Sequence, residues 1–262
     1  MLAKIMTFNL RLNVESDGEN AWPNRVRAAA EAIRRHDADI VGIQEGLLAM
    51  LKDLEPLLPE YAWVGEGREG GEEGEYSAIL YKKGKWSAEE VGGFGLSETP
   101  EKLGAMSWDT ACPRMCTWAR FKSAEGGEFA AFNTHLDHIS DEAQTKGMEL
   151  IRQRIERYRA QTGLPVVLTG DFNVGPAHAV ISGLEGAGYR NAYSVLAEGS
   201  QGVGRTFHEF LGGEPGEPID YVFASPDLEI VGVEVDRGRY DGRYPSDHYP
   251  VCTTVRRIRD RG

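Results

Sequence analysis

Cysteine is scarce in this 262-residue chain, and the three present, Cys112, Cys116 and Cys252, cannot all pair internally. Cys112 and Cys116 flank Pro113-Arg114-Met115, which is not the Cys-x-x-Cys redox spacing, and no nearby histidine completes a zinc site. Free, partly buried thiols in a reducing compartment are expected. Long apolar runs are missing too: none approaches the ~20 residues that span a bilayer. Positive charge is in deficit, with 29 Lys and Arg against 41 Asp and Glu and a formal charge of −12. Proteins that hold nucleic acid by its backbone need clustered Lys and Arg to replace phosphate counterions. Here such residues gather only at Arg152, Arg154, Arg157 and Arg159 and at Arg256, Arg257 and Arg259, which read as solvated faces or a tail. A long DNA or RNA substrate is therefore disfavoured. No repeat of fixed period and no long low-complexity tract is present.

What is there is ordinary for a folded protein: 41% hydrophobic and 27% charged residues, which argues against disorder. The start, Met1-Leu2-Ala3-Lys4-Ile5-Met6-Thr7-Phe8-Asn9, runs straight into a strand-like pattern without the layout of a secretory signal. A cytoplasmic protein is expected, although a secreted chain trimmed of its signal would look the same.

The pattern along the chain predicts a first strand at Ile5–Phe8, ending at Asn9, then a polar loop from Arg11 to Asn20. Trp22, Val26, Ala29, Ala30 and Ile33 share one face of a helix, with Pro23 in its first turn. Ala38 to Gln44 reads as a buried strand delivering Glu45, and Leu47 to Leu58 as a short helix. Further strands are expected at Ala62–Val64, Ser77–Tyr81, Met115–Phe121 and Phe129–His135. The acidic, glycine-rich stretch Gly65–Glu75 reads as an exposed loop unsuited to phosphate, and Phe94–Arg114 as a lid or rim. Ser140 opens a helix burying Met148, Ile151, Ile155 and Tyr158. The strand Val166–Thr169 leads to Asp171 and Asn173, and a loop and helix follow Gly175-Pro176. Strands Ile219–Phe223, Leu228–Glu234 and Tyr249–Val255 close the chain. Strands outnumber helices, which suits two packed sheets with helices outside, in one domain over residues 1–262.

Polar groups recur where apolar strands stop: Asn9, Glu45, His135, Asp171, Asn173, Asp220, Asp247 and His248. A rigid sheet holds such groups while leaving them in reach of solvent, where catalytic groups belong. A hydrolytic metal site is the leading reading of the residues alone.

Six landmarks stand in order: Thr7-Phe8-Asn9-Leu10, Gln44-Glu45, Asn133-Thr134-His135-Leu136-Asp137, Gly170-Asp171-Phe172-Asn173, Ile219-Asp220-Tyr221 and Ser246-Asp247-His248. Together they cover nearly the whole chain, which resembles the endonuclease/exonuclease/phosphatase superfamily with the DNase I-like fold. Asp17-Gly18-x-Asn20-x-Trp22, Leu96-Ser97-Glu98-Thr99-Pro100 and Thr134-His135-Leu136-Asp137-His138 resemble a poorly characterised bacterial branch of it. The resemblance implies an α/β fold, a four-layered α/β sandwich: two mixed sheets face to face, helices on both outer sides, and a site at one edge. It also implies divalent-metal-dependent cleavage of a phosphoester.

On that resemblance Glu45, Asp247 and Asn9 are the expected metal ligands. Oxygen donors without thiolate suit a hard cation, so Mg²⁺ is expected and Mn²⁺ is a workable substitute. Taken with its neighbours alone, Glu45 reads equally as a charge at the N-terminus of the next helix. Asp171 is expected to orient or deprotonate the attacking water and Asn173 to bond the phosphoryl oxygens, although the pair also reads as an Asx turn. His248 is expected to stabilise the phosphate, with Asp220 fixing its tautomer; a structural Asp–His hydrogen bond is the alternative. Whether Asp171 or His248 is the base is open in the sequence, with Asp171 preferred.

His135 holds a position where several branches place a phosphate-contacting histidine. Arg114 is read as a phosphate clamp or a surface ion pair, His138 as a substrate contact or a satisfied loop histidine. Trp108 and Phe207-His208 are read as pocket walls or loop anchors, and the other tryptophans, at 22, 63, 86 and 118, as core. His36 and His178 receive no role. Arg11 stands where nuclease-like relatives commonly carry an acid, which argues against a second metal ligand there.

These readings point to a phosphatase or phosphodiesterase acting on a small phosphoester: a phosphosugar, inositol phosphate, nucleotide or lipid headgroup. A nuclease, either a deadenylase-like RNA 3′ exonuclease or a DNA endonuclease, is the alternative. A catalytically silent scaffold is disfavoured, because the expected site residues are all present. The expected partner is a small phosphorylated molecule, and the chain is expected to be a monomer.

Overall fold

The computed structural model describes residues 1–258; Arg259, in the expected basic tail, lies outside them. In chain order its main elements are β1 (Leu2–Asn9), α1 (Trp22–His36), β2 (Ile40–Gln44), α2 (Leu48–Leu54), β3 (Tyr61–Val64), β4 (Ile79–Lys82), β5 (Trp86–Gly95) and β6 (Met115–Ser123). They continue with β7 (Glu128–His135), α3 (Asp141–Thr162), β8 (Val166–Asp171), α4 (Ala179–Gly186), β9 (Arg190–Asn191), β10 (Asp220–Ala224), β11 (Leu228–Val235) and β12 (Val251–Arg257). One six-stranded sheet runs β11-β12-β1-β2-β4-β3 and the other β5-β6-β7-β8-β10-β9. Both are mixed: β1–β2 and β7–β8 are parallel pairs, while β12 lies antiparallel to β1 and β10 to β8.

Successive strand residues point to opposite faces, so each central strand feeds two cores. Met6, Phe8, Val41 and Ile43 pack outward against Ala29, Ile33 and Leu51 of α1 and α2. Phe132, Leu168 and Phe223 do the same against Met148, Ile151 and Leu184 of α3 and α4. The remaining row, with Ala3, Ile5, Ile40, Ala131, Val167, Val222 and Ala224, fills the space between the sheets. This is the expected four-layered sandwich.

The inward row changes character along each strand. Ile5 is followed by Thr7 and Asn9, Ala131 by Asn133 and His135, and Val167 by Thr169 and Asp171. At mid-length Gln44 Nε2 donates to Asn133 Oδ1 at 2.7 Å and to Thr7 Oγ1 at 3.1 Å, and Thr169 Oγ1 donates to Asn133 Oδ1 at 2.9 Å. All four residues are buried, so this polar seam is satisfied internally rather than by solvent. Gly42 lets the sheets approach here, since a Cβ on it would lie 2.2 Å from Thr169 Oγ1.

Several expectations are corrected. β5 was not expected: its sequence Trp86-Ser-Ala-Glu-Glu-Val-Gly-Gly-Phe-Gly95 lacks alternation because it is an edge strand, mostly solvated and broken by a bulge between Ala88 and Glu90. It takes Phe94 and Gly95 out of the expected lid; of the rest of that segment Leu96, Ser97, Thr110 and Arg114 are buried and the other residues are partly or fully exposed. The helix expected to Leu58 stops at Leu54. Trp63 and Trp118 are half-buried rather than core, whereas Trp22 and Trp86 are buried. His178 is not within a helix but caps α4, its Nδ1 accepting from Val180 N at 3.1 Å. Three of the four arginines on α3 are spent in ion pairs: Arg152 with Glu149 and Glu156, Arg154 with Glu101 and Arg159 with Asp227. Among the described residues no helix is long and apolar enough to cross a membrane.

Candidate functional site

Strand direction brings the polar ends to one edge. The parallel pairs register Asn9 beside Gln44 and His135 beside Asp171, so these C-terminal ends coincide. Antiparallel β10 begins where β8 ends, with Asp220 opposite Asp171. Antiparallel β12 starts beside the end of β1, Val251 against Thr7, which leaves Asp247 and His248 at the same edge. Three residues here, Arg11, Glu45 and Asn173, adopt left-handed φ of 53–56° without being glycine, a conformation that concentrates at functional sites.

Asp171 Oδ2 is the meeting point. Asn9 Nδ2 donates to it at 2.9 Å, His135 Nε2 lies 3.5 Å away and His248 Nε2 3.7 Å away. Its other oxygen accepts from Asn173 N at 3.0 Å, so the Asx turn is present, although His178 rather than this turn caps α4. Asn9 Nδ2 also reaches Glu45 Oε1 at 3.0 Å, which ties the two sheets together through one amide. On the far side His248 Nδ1 lies 2.9 Å from Asp220 Oδ2, both residues being buried.

Burial sets the electrostatics. It pushes the Asp171 carboxyl up to about 7, Asp220 adding to the effect against the opposing pull of His248 and the Asn9 amide. Burial alone would lower His248, but the Asp220 and Asp171 charges overcome it and raise the imidazole to about 10. His135, buried and facing Arg114, is held well below the usual histidine range, hence neutral. A protonated imidazole, a neutral one and a carboxylate with an elevated pKa therefore share one oxygen's surroundings.

The cleft around them has a volume of about 580 Å³ and is lined also by Arg11, Leu12, Glu45, Arg68, Glu75, Cys112, Arg114, His138, Phe207, Ile219 and Asp247. Glu45 Oε2 accepts from Leu12 N at 2.9 Å, so its oxygens turn away from α2, whose N-cap Leu47 makes no side-chain cap bond. Burial, then Glu45's charge, pushes the Asp247 carboxyl up, and Arg11 Nε stands 3.7 Å from Asp247 Oδ2 while paired to Asp17 at 2.9 and 3.0 Å. Two mutually repelling carboxylates with spare lone pairs beside an amide oxygen fit a hard cation.

Two tighter triples of metal-capable side chains exist among the described residues, Asp171-Asp220-His248 and Cys112-Asp137-His138. In the first, a hydrogen bond already joins Asp220 to His248. In the second, Asp137 already accepts from Thr110 Oγ1, Ala111 N, Ile139 N and Ser140 N, and Arg114 occupies His138 Nδ1. Both triples are thus partly committed to protein hydrogen bonds, as is Glu45, whose two oxygens accept from Asn9 Nδ2 and Leu12 N.

Comparison with known proteins decides the lineage: the sequence model of the Endonuclease/Exonuclease/phosphatase family matches residues 6–248. The chain belongs to this family. A family protein from Bacteroides vulgatus is 34% identical, covers 98% of this chain and 100% of its own, and superposes with a TM-score of 0.90. One from Bacteroides thetaiotaomicron is 33% identical over 97% of both chains, with a TM-score of 0.89. A mannosyl-6-phosphatase of the same species is also 33% identical, over 97% of this chain and 99% of that one, with a TM-score of 0.90. No curated protein matches the chain.

In this endonuclease/exonuclease/phosphatase chain, most of the residues singled out by sequence line the cleft, and Asn9 and Asp220 lie buried behind it, bonded to Asp171 and His248. Trp108 does neither: its ring lies 5.6 Å from Lys146 Nζ, and its carbonyl accepts from Ser140 Oγ at 2.6 Å, so it anchors the rim to α3. Phe207 lines the cleft, its ring centroid 4.9 Å from that of His248, whereas its neighbour His208 is buried against Tyr249. Arg114 is no surface residue but 6% exposed. Arg68 and Glu75 were missed. They sit in the stretch expected to be an exposed acidic loop, whose composition hid a single arginine turned inward.

Proposed function

We propose that this protein is a divalent-metal-dependent hydrolase of small phosphoesters, with a phosphorylated sugar as the leading substrate class. The observation that carries the reading is the one carboxylate oxygen, on Asp171, that Asn9 bonds at 2.9 Å and that lies within 3.7 Å of both His135 and His248. The likeness to a mannosyl-6-phosphatase supports the substrate class, and the cleft, about 580 Å³ in volume, has room for a small ligand.

Asp171 accepts the proton of the attacking water and aims its lone pair at phosphorus; Asn9 and Asn173 N fix both carboxylate oxygens for that task. His248, protonated and oriented by Asp220, stabilises negative charge that builds on the phosphoryl oxygens. His135, neutral, offers a hydrogen bond without adding charge. Asn173 lines the cleft with one amide hydrogen committed to Leu136 O at 3.1 Å and the other free for phosphate. Glu45, Asp247 and Asn9 would hold Mg²⁺, or Mn²⁺ in its place. When bound there, the cation supplies Lewis-acid polarisation of a phosphoryl or leaving oxygen.

The test is a panel of hexose phosphates, inositol phosphates, nucleotides and lipid headgroup analogues, assayed with Mg²⁺ and again after EDTA. Turnover of a sugar phosphate that EDTA abolishes and Mg²⁺ restores is expected. A folded protein silent across the panel would overturn the reading.

A further inference from the structure

Among the described cleft residues, Arg114 leaves the most buried donors without a partner. Its side chain is 6% exposed, yet Nε and Nη1 donate to no protein group, and Nη2 reaches only His138 Nδ1 at 3.0 Å. Asp137 Oδ1 stands 3.7 Å from Nε, beyond a hydrogen bond, and both Asp137 oxygens are already filled by the four donors described above. Arg68, in the loop between β3 and β4, repeats the pattern less severely: Nη2 pairs with Glu75 Oε1 at 2.6 Å while Nε has no protein partner. Both guanidinium groups line the cleft that holds Asp171, Asn173 and His248. Buried guanidinium N–H groups left without acceptors cost about 1–3 kcal/mol each, so such donors persist where a ligand completes them. The planar fork of arginine matches the paired oxygens of phosphate.

We infer that Arg114, backed by Arg68, is the recognition site for the third terminal oxygen of a phosphomonoester, and that it makes the enzyme select monoesters over diesters. This rests on the phosphoester reading of the same cleft. A diester presents two non-bridging oxygens, which His248 and Asn173 address. A monoester carries three terminal oxygens and close to two negative charges at neutral pH. Only the monoester has an oxygen and a charge to give the incomplete guanidinium. A diester would place an ester carbon against buried N–H groups, leaving them unpaired and desolvated.

Two measurements on the full chain with Mg²⁺ test this. The first compares kcat/KM for p-nitrophenyl phosphate and bis(p-nitrophenyl) phosphate, which share a leaving group. The monoester should be favoured by about 100-fold, and Arg114→Gln should remove most of that preference by acting on the monoester alone, as loss of a desolvated charge contact implies. Similar rates for both esters, or equal loss on both in the variant, would overturn the inference. The second needs neither turnover nor a variant: calorimetric titration of the wild type with inorganic phosphate and with dimethyl phosphate. Phosphate should bind about 30-fold or more the tighter, and equal affinities would also overturn the inference. Hydrolysis of neither ester alongside selective phosphate binding would count against the hydrolase reading while supporting the anion site, so the two failures are distinguishable.

Discussion

Replacing Asp220 by Asn removes one charge from the cleft and keeps its shape. The carboxylate lies 2.9 Å from His248 Nδ1, and both partners are buried. A hydrogen bond to a charged group contributes about 1.5–3 kcal/mol, so kcat/KM should fall roughly 10- to 100-fold. The pH profile carries more information than the rate. With Asp171 as base, near 7, and His248 as the protonated partner, near 10, wild-type activity should rise with pH through the first value and fall through the second.

Asp220 is the largest upward influence on His248 and, after burial, the next on Asp171. Both limbs of the variant's profile should therefore move to lower pH, the alkaline limb by about 1–3 units. Stability has its own sign. The folded-state pKa of His248 lies above its ordinary 6.5, so the pair's contribution is complete below that pH and is lost as pH rises through about 10. The melting-temperature gap between wild type and variant should accordingly be widest at mildly acid pH and close in alkali. Rate profiles and thermal melts over the same pH series check both. An unmoved alkaline limb, or a gap that widens with pH, would refute the assignment of His248 as Asp220's charged partner.

Glu45→Gln should weaken calorimetric Mg²⁺ binding by at least about 10- to 100-fold, with kcat/KM falling in parallel; unchanged affinity would place the cation elsewhere. Arg25, 1% exposed, donates to the carbonyls of Leu10, Arg11, Leu12, Asn20 and Pro245, pinning the turn that carries Arg11 to the loop that carries Asp247. Arg25→Met should cost about 3–5 kcal/mol, lower the melting temperature by roughly 10 °C and weaken Mg²⁺ binding; a variant with unaltered melting would contradict the pinning. Gly42→Ala would put a methyl 2.2 Å from Thr169 Oγ1 and 2.5 Å from Asn133 Oδ1, so a loss of about 1–3 kcal/mol is expected in chemical denaturation. A neutral result would mean that the sheets part more readily than their packing implies.

Much of the site was legible in the residue order because it is built from strand ends. An apolar run that stops at a carboxylate or amide marks a sheet edge, and the inward row of β1, β7 and β8 shows this change plainly. Neighbours within one landmark carry no such mark. Thr7, Gln44 and Asn133 belong to those short motifs, yet they form the seam between the sheets, one alternation short of the cleft. Edge strand β5 escaped because a solvated strand has no hydrophobic period to detect.

The amino-acid order by itself determined the layered α/β architecture and the set of acids, amides and imidazoles at the strand ends, since periodicity and termination are local properties of a chain. Tertiary structure alone decided which of them share an oxygen, and that Arg114 is buried with unused donors while Trp108 faces away. It also decided that Arg68 turns inward from an acidic loop. The reason is physical: burial and hydrogen-bond saturation depend on what packs against a side chain from elsewhere in the fold, and no local pattern records that.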